Sequence, residues 1–266
     1  MSITFSSCFY ILKSKFDKFT YIKWMNNFIS IVNEFYLVIY TDETSVKHID
    51  TKNNPRIKII IKPVDQFYTY KYKELWVKNH EKNNLLNTRV EWEVNMLWNE
   101  KIWFTNETCK NKYFDTDYYG WCDIGYFRNR NADINTSKLM KWGNSSKIEK
   151  IKKNCVLYGL INNDLQYINN LQIIINNKNA IGLPQIPILE EHLSISGGFF
   201  ISHKDKLEWW AETFYKKLDL YLENNYLVKD DQIIIADCIF SQTTDFCLLQ
   251  ENSLYDNWFM FQRLLQ

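Results

Sequence analysis

The residues best placed to do chemistry in this 266-residue chain are a few carboxylates set against hydrophobic runs, and one pair of adjacent glycines. Asp123 closes the run Tyr118, Tyr119, Gly120, Trp121, Cys122 and is followed by Ile124 and Gly125. An aspartate leaving the carboxyl end of a buried strand sits where open α/β sheets bind ligands. There it can hold a hard divalent cation that neutralises a diphosphate, or it can simply cap a turn and pair with Arg128. Asp115-Thr116-Asp117 has the literal Asp-x-Asp spacing of a metal site, but it precedes the hydrophobic run and so belongs at the strand's amino end. Ser196-Gly197-Gly198-Phe199-Phe200 places two glycines inside a strand pattern. Missing side chains there either admit a ligand to the backbone or mark a bulge. Asp230-Asp231-Gln232 opens the apolar run IIIADCIF. Asp230 suits a helix N-cap; Asp231 is then left as a base or an acceptor for sugar hydroxyls, unless both carboxylates merely favour the helix terminus.

The elements that must position these groups alternate in type. Residues 3–11, 36–40 and 56–62 are β-branched and aromatic and read as strands, the last stopped by Pro63. Between the first two, Asp17 can cap a helix whose apolar face is Phe19, Ile22, Met25, Ile29 and Val32, at spacings of three and four. Helical stretches follow at 70–82 and 88–104, the second with Val90, Val94, Leu97, Trp98 and Ile102 on one side. A strand is expected at 118–127, an irregular polar stretch at 129–154, and further strands at 156–161 and 192–201. Leu207, Trp210, Ala211, Phe214, Leu218 and Leu222 mark a long amphipathic helix, and a last helix starts near Asp230. Strands alternating with helices imply an α/β fold with a mostly parallel central sheet and helices on both faces. With no repeat and no Pro/Gly/Ser linker, residues 1–266 read as a single domain.

Composition narrows the function classes. The 32 Lys and Arg against 31 Asp and Glu leave a net charge of +1, which offers no basic footprint for nucleic acid and no polybasic membrane patch. No apolar run approaches the roughly 20 residues of a transmembrane helix, and the start MSITFSSCFYILKSKF lacks the basic region of a signal peptide. A cytoplasmic protein is expected. The six cysteines include no CxxC pair, which argues for free thiols and against a zinc site. The abundant Asn, Lys and Ile have AT-rich codons, a bias that suits an AT-rich bacterium or a large DNA virus.

The segment NMLWNEK at 95–101 followed by YYGWCDIGYFR at 118–128 resembles the HtrL/YibB-like family, whose bacterial and giant-virus members look like glycosyltransferases of the GT-A type. The GGFF and Asp231-Gln232 pieces and the Tyr-Thr-Asp-Glu after the second strand extend the likeness over roughly residues 3–260. The resemblance implies a GT-A-like domain that moves a sugar from a nucleoside diphosphate donor, UDP-linked, to a hydroxyl of a glycan or other acceptor, with manganese or magnesium (in a virus, within the host cytoplasm). Asp123 would then hold the metal, with Asp256 and His203 as candidates for its other ligands. Thr4, Phe5, Ser6 and Asp42 would surround the base and ribose, while Lys101 and Arg128 would meet the diphosphate. Gly197 and Gly198 would floor the donor sugar, and Asp231 would be the catalytic base. The alternative on the same scaffold is a non-catalytic protein that binds a nucleotide sugar or carbohydrate.

Overall fold

Alternating strand residues dictate the layering. In the computed structural model, which describes residues 2–251 and 254–266, seven strands form one sheet in the order β3-β2-β1-β4-β6-β5-β7. They are β1 Ile3–Phe9, β2 Tyr36–Thr41, β3 Ile57–Ile61, β4 Tyr118–Cys122, β5 Val156–Leu160, β6 Ile195–His203 and β7 Phe246–Leu249. Leu37, Ile39, Phe199 and Ile201 point into one core, whereas Val38, Tyr40, Phe200 and Tyr158 point into another on the opposite face. Period-two alternation of large apolar side chains on both faces requires cover on both sides.

Helices supply that cover. They are α1 Lys18–Ser30, α2 Lys73–Lys82, α3 Trp92–Lys110, the short α4 Ser145–Ile148, α5 Leu165–Asn176, α6 Lys204–Glu223, α7 Asp231–Ser241 and the short α8 Phe261–Leu264. The first helix packs with the Leu37/Ile39 core, and α6 and α7 with the other. Asp17 caps α1 by accepting the N–H groups of Phe19 and Thr20. The buried stripe of α1 is Trp24, Met25, Phe28 and Ile29, however, and Phe19, expected on the apolar face, is 71% exposed in the first turn.

The sheet is mixed. Strands β1, β2, β3 and β4 run parallel, β6 is antiparallel to both β4 and β5, and β7 pairs parallel with β5. The expected domain is thus an α/β sandwich of one sheet between helices, mostly parallel, and this coarse architecture is what the structure bears out. The elements that the sequence analysis does not anticipate include the helix α5 and the strand β7. Phe246–Leu249 is too short to alternate, and it is a strand because β5 offers it an edge. That pairing also brings Cys155 to Cys247, with 5.8 Å between their Cα atoms. The expectation of six free thiols is therefore corrected: these two form a disulfide, while Cys8, Cys109, Cys122 and Cys238 are free. Among the described residues no helix is long and apolar enough to cross a membrane.

One helix organises the interior. α3 packs against β1, β4, α2 and α6, and it buries polar as well as apolar side chains: Asn95, Asn99, Glu100, Lys101 and Thr105. A buried polar group is tolerated when it is hydrogen-bonded. Asn95 donates to the Val228 carbonyl at 2.8 Å, and Glu100 accepts from the Thr69 N–H and hydroxyl at 3.1 and 2.8 Å. Lys101, which could equally have faced solvent, is turned inward toward the carboxyl edge of the sheet.

Candidate functional site

The strand β4 stops at Cys122 because the chain turns there. The Asp123 N–H still donates to the Gly198 carbonyl at 2.9 Å, but the Tyr126 N–H folds back onto the Asp123 carbonyl at 2.9 Å. This frees the Asp123 side chain at the carboxyl end of β4, where Trp121 Nε1 donates to its Oδ1 at 2.6 Å. Across from it, α7 begins at Asp231, and Asp230 caps that helix by accepting the Gln232 N–H at 3.2 Å. Lys101 lies between the two carboxylates. Its Nζ is 3.2 Å from Asp123 Oδ1 and 3.0 Å from Asp231 Oδ2, and it donates to the Gly197 carbonyl at 3.0 Å.

Burial by itself would lower the pKa of the Lys101 ammonium, but Asp123 and Asp231 outweigh it and hold that pKa above its ordinary value. Burial pushes the Asp231 carboxyl the other way from most aspartates, upward, against the pull of Lys101 and with the help of Asp230 and Asp123. The glycines fit this picture tightly. A Cβ on Gly197 would come within 2.8 Å of Asp231 Oδ2, and one on Gly198 within 3.0 Å of Asp123 Oδ2. What approaches the glycine backbone is the protein's own pair of carboxylates.

Beside this cluster opens a cavity of about 350 Å³ lined by Ser196, Gly197, Gly198, Asp230, Asp231 and Gln232 and by the aromatic residues Phe16, Tyr21, Trp98, Trp258 and Phe259, with Lys15, Arg128 and Arg130 adding positive charge. A smaller, more apolar cavity of about 110 Å³ adjoins it and shares Tyr21, Trp98, Lys101, Asp123, Gly125 and Arg128. Cys8, Phe9 and Tyr10 line it from the end of β1. Both cavities therefore sit at the carboxyl edges of β1 and β4, the neighbouring strands at which the chain order reverses.

No protein-family model and no curated protein matches this chain.

The structure brings Asp123, Asp231, Lys101, Gly197, Gly198, Arg128 and Asp256 to one cavity. It places the other sequence candidates elsewhere. Thr4 and Ser6 point into the helix–sheet interface, bonded to the hydroxyls of Thr116 at 2.9 Å and Thr108 at 2.8 Å. Phe5 is core, packed on Trp142 and Phe199. The carboxylate of Asp42 accepts the N–H groups of Thr44 and Ser45 at 3.0 and 2.6 Å. Asp117, of the Asp-x-Asp string, pairs with Lys204 at 2.7 Å before β4 begins.

The expected metal site is corrected. Among the described residues no group of three or more His, Cys, Asp or Glu side chains could hold a metal ion. His203 pairs across the sheet with Tyr118, at the opposite end of β4 from Asp123. At about 3.3 Å of rise per residue that is a separation of roughly 15 Å. Its Nδ1 lies 3.3 Å from Asp205 Oδ2. Asp256 does reach the cavity, but its Oδ2 is 3.1 Å from Arg130 Nη2 and its Oδ1 accepts the Trp258 N–H at 3.0 Å. The remaining pair, Asp123 and Asp231, already flanks an ammonium in the position a divalent cation would need. Manganese or magnesium does not fit this donor set, and the metal-dependent UDP-sugar transferase expected from the resemblance is overturned by it and by the lack of any matching family model.

Ser196 and Gln232 line the cavity although the sequence analysis names them only as members of their motifs, and Lys15, Phe16, Tyr21, Trp98, Trp258 and Phe259 line it without having been assigned to the site. Helical spacing put Trp98 on the apolar side of its helix, and spacing cannot tell a core face from a cavity wall. Lys15 carried one usable signal, its place just after the first strand, where the carboxyl edge must lie.

Proposed function

We propose that the chain is a non-catalytic binding protein for a carbohydrate or nucleotide sugar, on a scaffold of the HtrL/YibB-like kind. The observation that carries this reading is the state of the cavity floor. Ser196 Oγ and Gln232 Oε1 are buried there without a hydrogen-bond partner among the described residues. Buried polar atoms are normally satisfied; a hydroxyl-rich ligand would meet the half-exposed Asp123 carboxylate directly and satisfy Ser196 and Gln232 once their side chains rotate toward the cavity. The aromatic rim supports the same ligand class, because rings of Trp98, Tyr21 and Trp258 offer flat apolar faces beside polar groups. The size of the cavity falls in the range of small-molecule sites. In this reading the Lys101 ammonium keeps the two carboxylates in place, and Gly197 and Gly198 let them approach the strand.

The test is calorimetric titration in EDTA with UDP-glucose, UDP-N-acetylglucosamine, and a panel of neutral mono- and disaccharides. Saturable binding of at least one is expected without divalent metal, and Gln232→Ala should weaken it by about tenfold, the loss of one buried hydrogen bond. Failure of every compound to bind the folded protein overturns the reading.

A further inference from the structure

One face of the molecule outside the cavity carries almost no charge. Helix α5 and the segment that follows it, residues 177–193, fold back on each other. At one end the Gln185 N–H donates to the Asn177 carbonyl at 2.9 Å, and at the other the Leu193 N–H donates to the Tyr167 hydroxyl at 3.2 Å. The inward side chains belong to the core: Ile168, Leu171 and Ile175 from the helix, Leu183 and Ile188 from the returning segment. The outward ones are apolar as well. Leu165, Ile173, Ile181, Ile186, Leu189 and Leu193 are each 48–67% exposed, and they are six of the fourteen large apolar side chains exposed among the described residues. None of the six lines either cavity. On the helix, Ile173 stands opposite the buried stripe, and the exposed polar side chains beside it, Gln166, Asn169 and Asn170, are uncharged. Between Leu165 and Leu189 the sole charged residue is Lys178, although charged residues make up 24% of the chain. Its ammonium is turned inward onto Asp237 at 2.5 Å.

We infer that this face is a homodimer interface, seated against the same face of a second copy of the chain. The area fits that occupant. Six side chains exposed by half to two-thirds leave roughly 600 Å² of apolar surface, the top of what a monomer ordinarily shows. With the uncharged polar side chains among them, this approaches the ~800 Å² that each partner buries in a standard interface. The charge fits it too. A twofold axis sets a patch against itself, so that a charge near the axis meets its own kind, and the centre of this patch presents none. A lipid surface is the weaker match, because helices that lie in a membrane interface are rimmed with Lys and Arg. The charges flanking this face are Asp164, Glu190 and Glu191. The face is also fixed before any partner arrives. The Asn179 N–H donates to the Leu183 carbonyl at 2.8 Å, its Oδ1 accepts the Leu183 N–H at 3.0 Å, and the Tyr226 hydroxyl donates to the Pro184 carbonyl at 3.0 Å. Little further ordering therefore opposes association.

The experiment is sedimentation equilibrium of the full chain, wild type and three single variants, over about 1–100 μM, a range that brackets a micromolar dissociation constant. The wild type should reach twice the chain mass and stop there. Ile173→Glu on the helix and Ile186→Glu on the returning segment each bring like charges into an apolar contact. Each should raise the dissociation constant about thirtyfold or more, the scale of an interface hot spot. Phe19→Glu, at a 71% exposed apolar position on α1 outside the face, should leave association unchanged. Both face positions are exposed, so thermal melts of the variants under dilute, monomeric conditions should match the wild type, and either variant alone suffices for the test. A chain that stays monomeric throughout the range overturns the inference. Dimers that survive both face variants, or that Phe19→Glu weakens equally, overturn it as well by placing the contact elsewhere. Growth beyond two copies would mark a head-to-tail contact and exclude the twofold one. A monomer that co-sediments with phosphatidylcholine vesicles, and loses them in Ile173→Glu, would give the face to lipid instead.

Discussion

Two lysine–aspartate clusters lie inside this molecule, and they are built to different ends. Asp237, in α7, is fully buried and saturated: Lys178 Nζ at 2.5 Å, Lys217 Nζ at 3.2 Å, the Tyr221 hydroxyl at 2.8 Å and the Ser241 hydroxyl at 3.0 Å. Lys101, in α3, stands between two carboxylates, one of them 42% exposed to a cavity, with unpartnered polar atoms alongside. A closed cluster of the first kind ties α7 to α6 and to the segment after α5. An open one leaves acceptors and donors in a fixed geometry beside a cavity. The difference teaches that buried charge alone does not mark a binding site; incomplete satisfaction next to a cavity does.

The sharpest way to break the comparison is to delete the centre of each cluster. Asp237→Ala strands two lysines, and removing one partner of a buried pair costs about 3–5 kcal/mol. Chemical denaturation should show that loss with little change in ligand affinity for the molecules that remain folded. Lys101→Met should cost less, about 2–4 kcal/mol near pH 8, and should abolish ligand binding. Its deficit depends on pH. Without the ammonium, the already raised pKa of Asp231 rises further above its unfolded value. A carboxyl with a raised folded pKa is at its most stabilising below the unfolded pKa, and that contribution fades as pH climbs through the folded one. The variant should therefore lie close to wild type near pH 5 and fall away toward pH 8, measured by thermal melts across that window. A flat deficit would mean that Asp231 does not titrate in response to Lys101. The finest distinction is between the two glycines. Gly197→Ala drives a Cβ to 2.8 Å from Asp231 Oδ2 and 3.0 Å from Oδ1, against a buried side chain that cannot retreat, and overpacking of this kind costs about 1–3 kcal/mol. Gly198→Ala meets the half-exposed Asp123, which can swing toward solvent, so the cost should fall below about 1 kcal/mol while ligand affinity still drops.

Legibility in the sequence followed the range of the interaction. Asp17 and Asp230 were readable as helix caps because a cap is satisfied by N–H groups two or three residues away. Asp123 was readable as a strand-exit residue because five preceding side chains announce the strand. Lys101 entered only through the resemblance, as a diphosphate contact, and its burial between two carboxylates was not readable. On the helix it stands three or four residues from Leu97, Trp98 and Phe104, where a lysine is normally unwelcome, and only the arrival of Asp123, Asp231 and the Gly197 carbonyl makes its burial tolerable. The resemblance of the segments 95–101 and 118–128 pointed to the right strand end but carried a metal with it, which the donor set does not fit.

Local periodicity thus determined the types of most elements, the two caps and the position of the aspartate at the sheet's edge, since each depends on residues within a turn or a strand of one another. Tertiary structure decided the reversed strand β6, the Cys155–Cys247 link and the ammonium between two carboxylates. Those are questions of which distant charges and edges meet, and electrostatic pairing and desolvation are settled by distances in space that spacing along the chain does not contain.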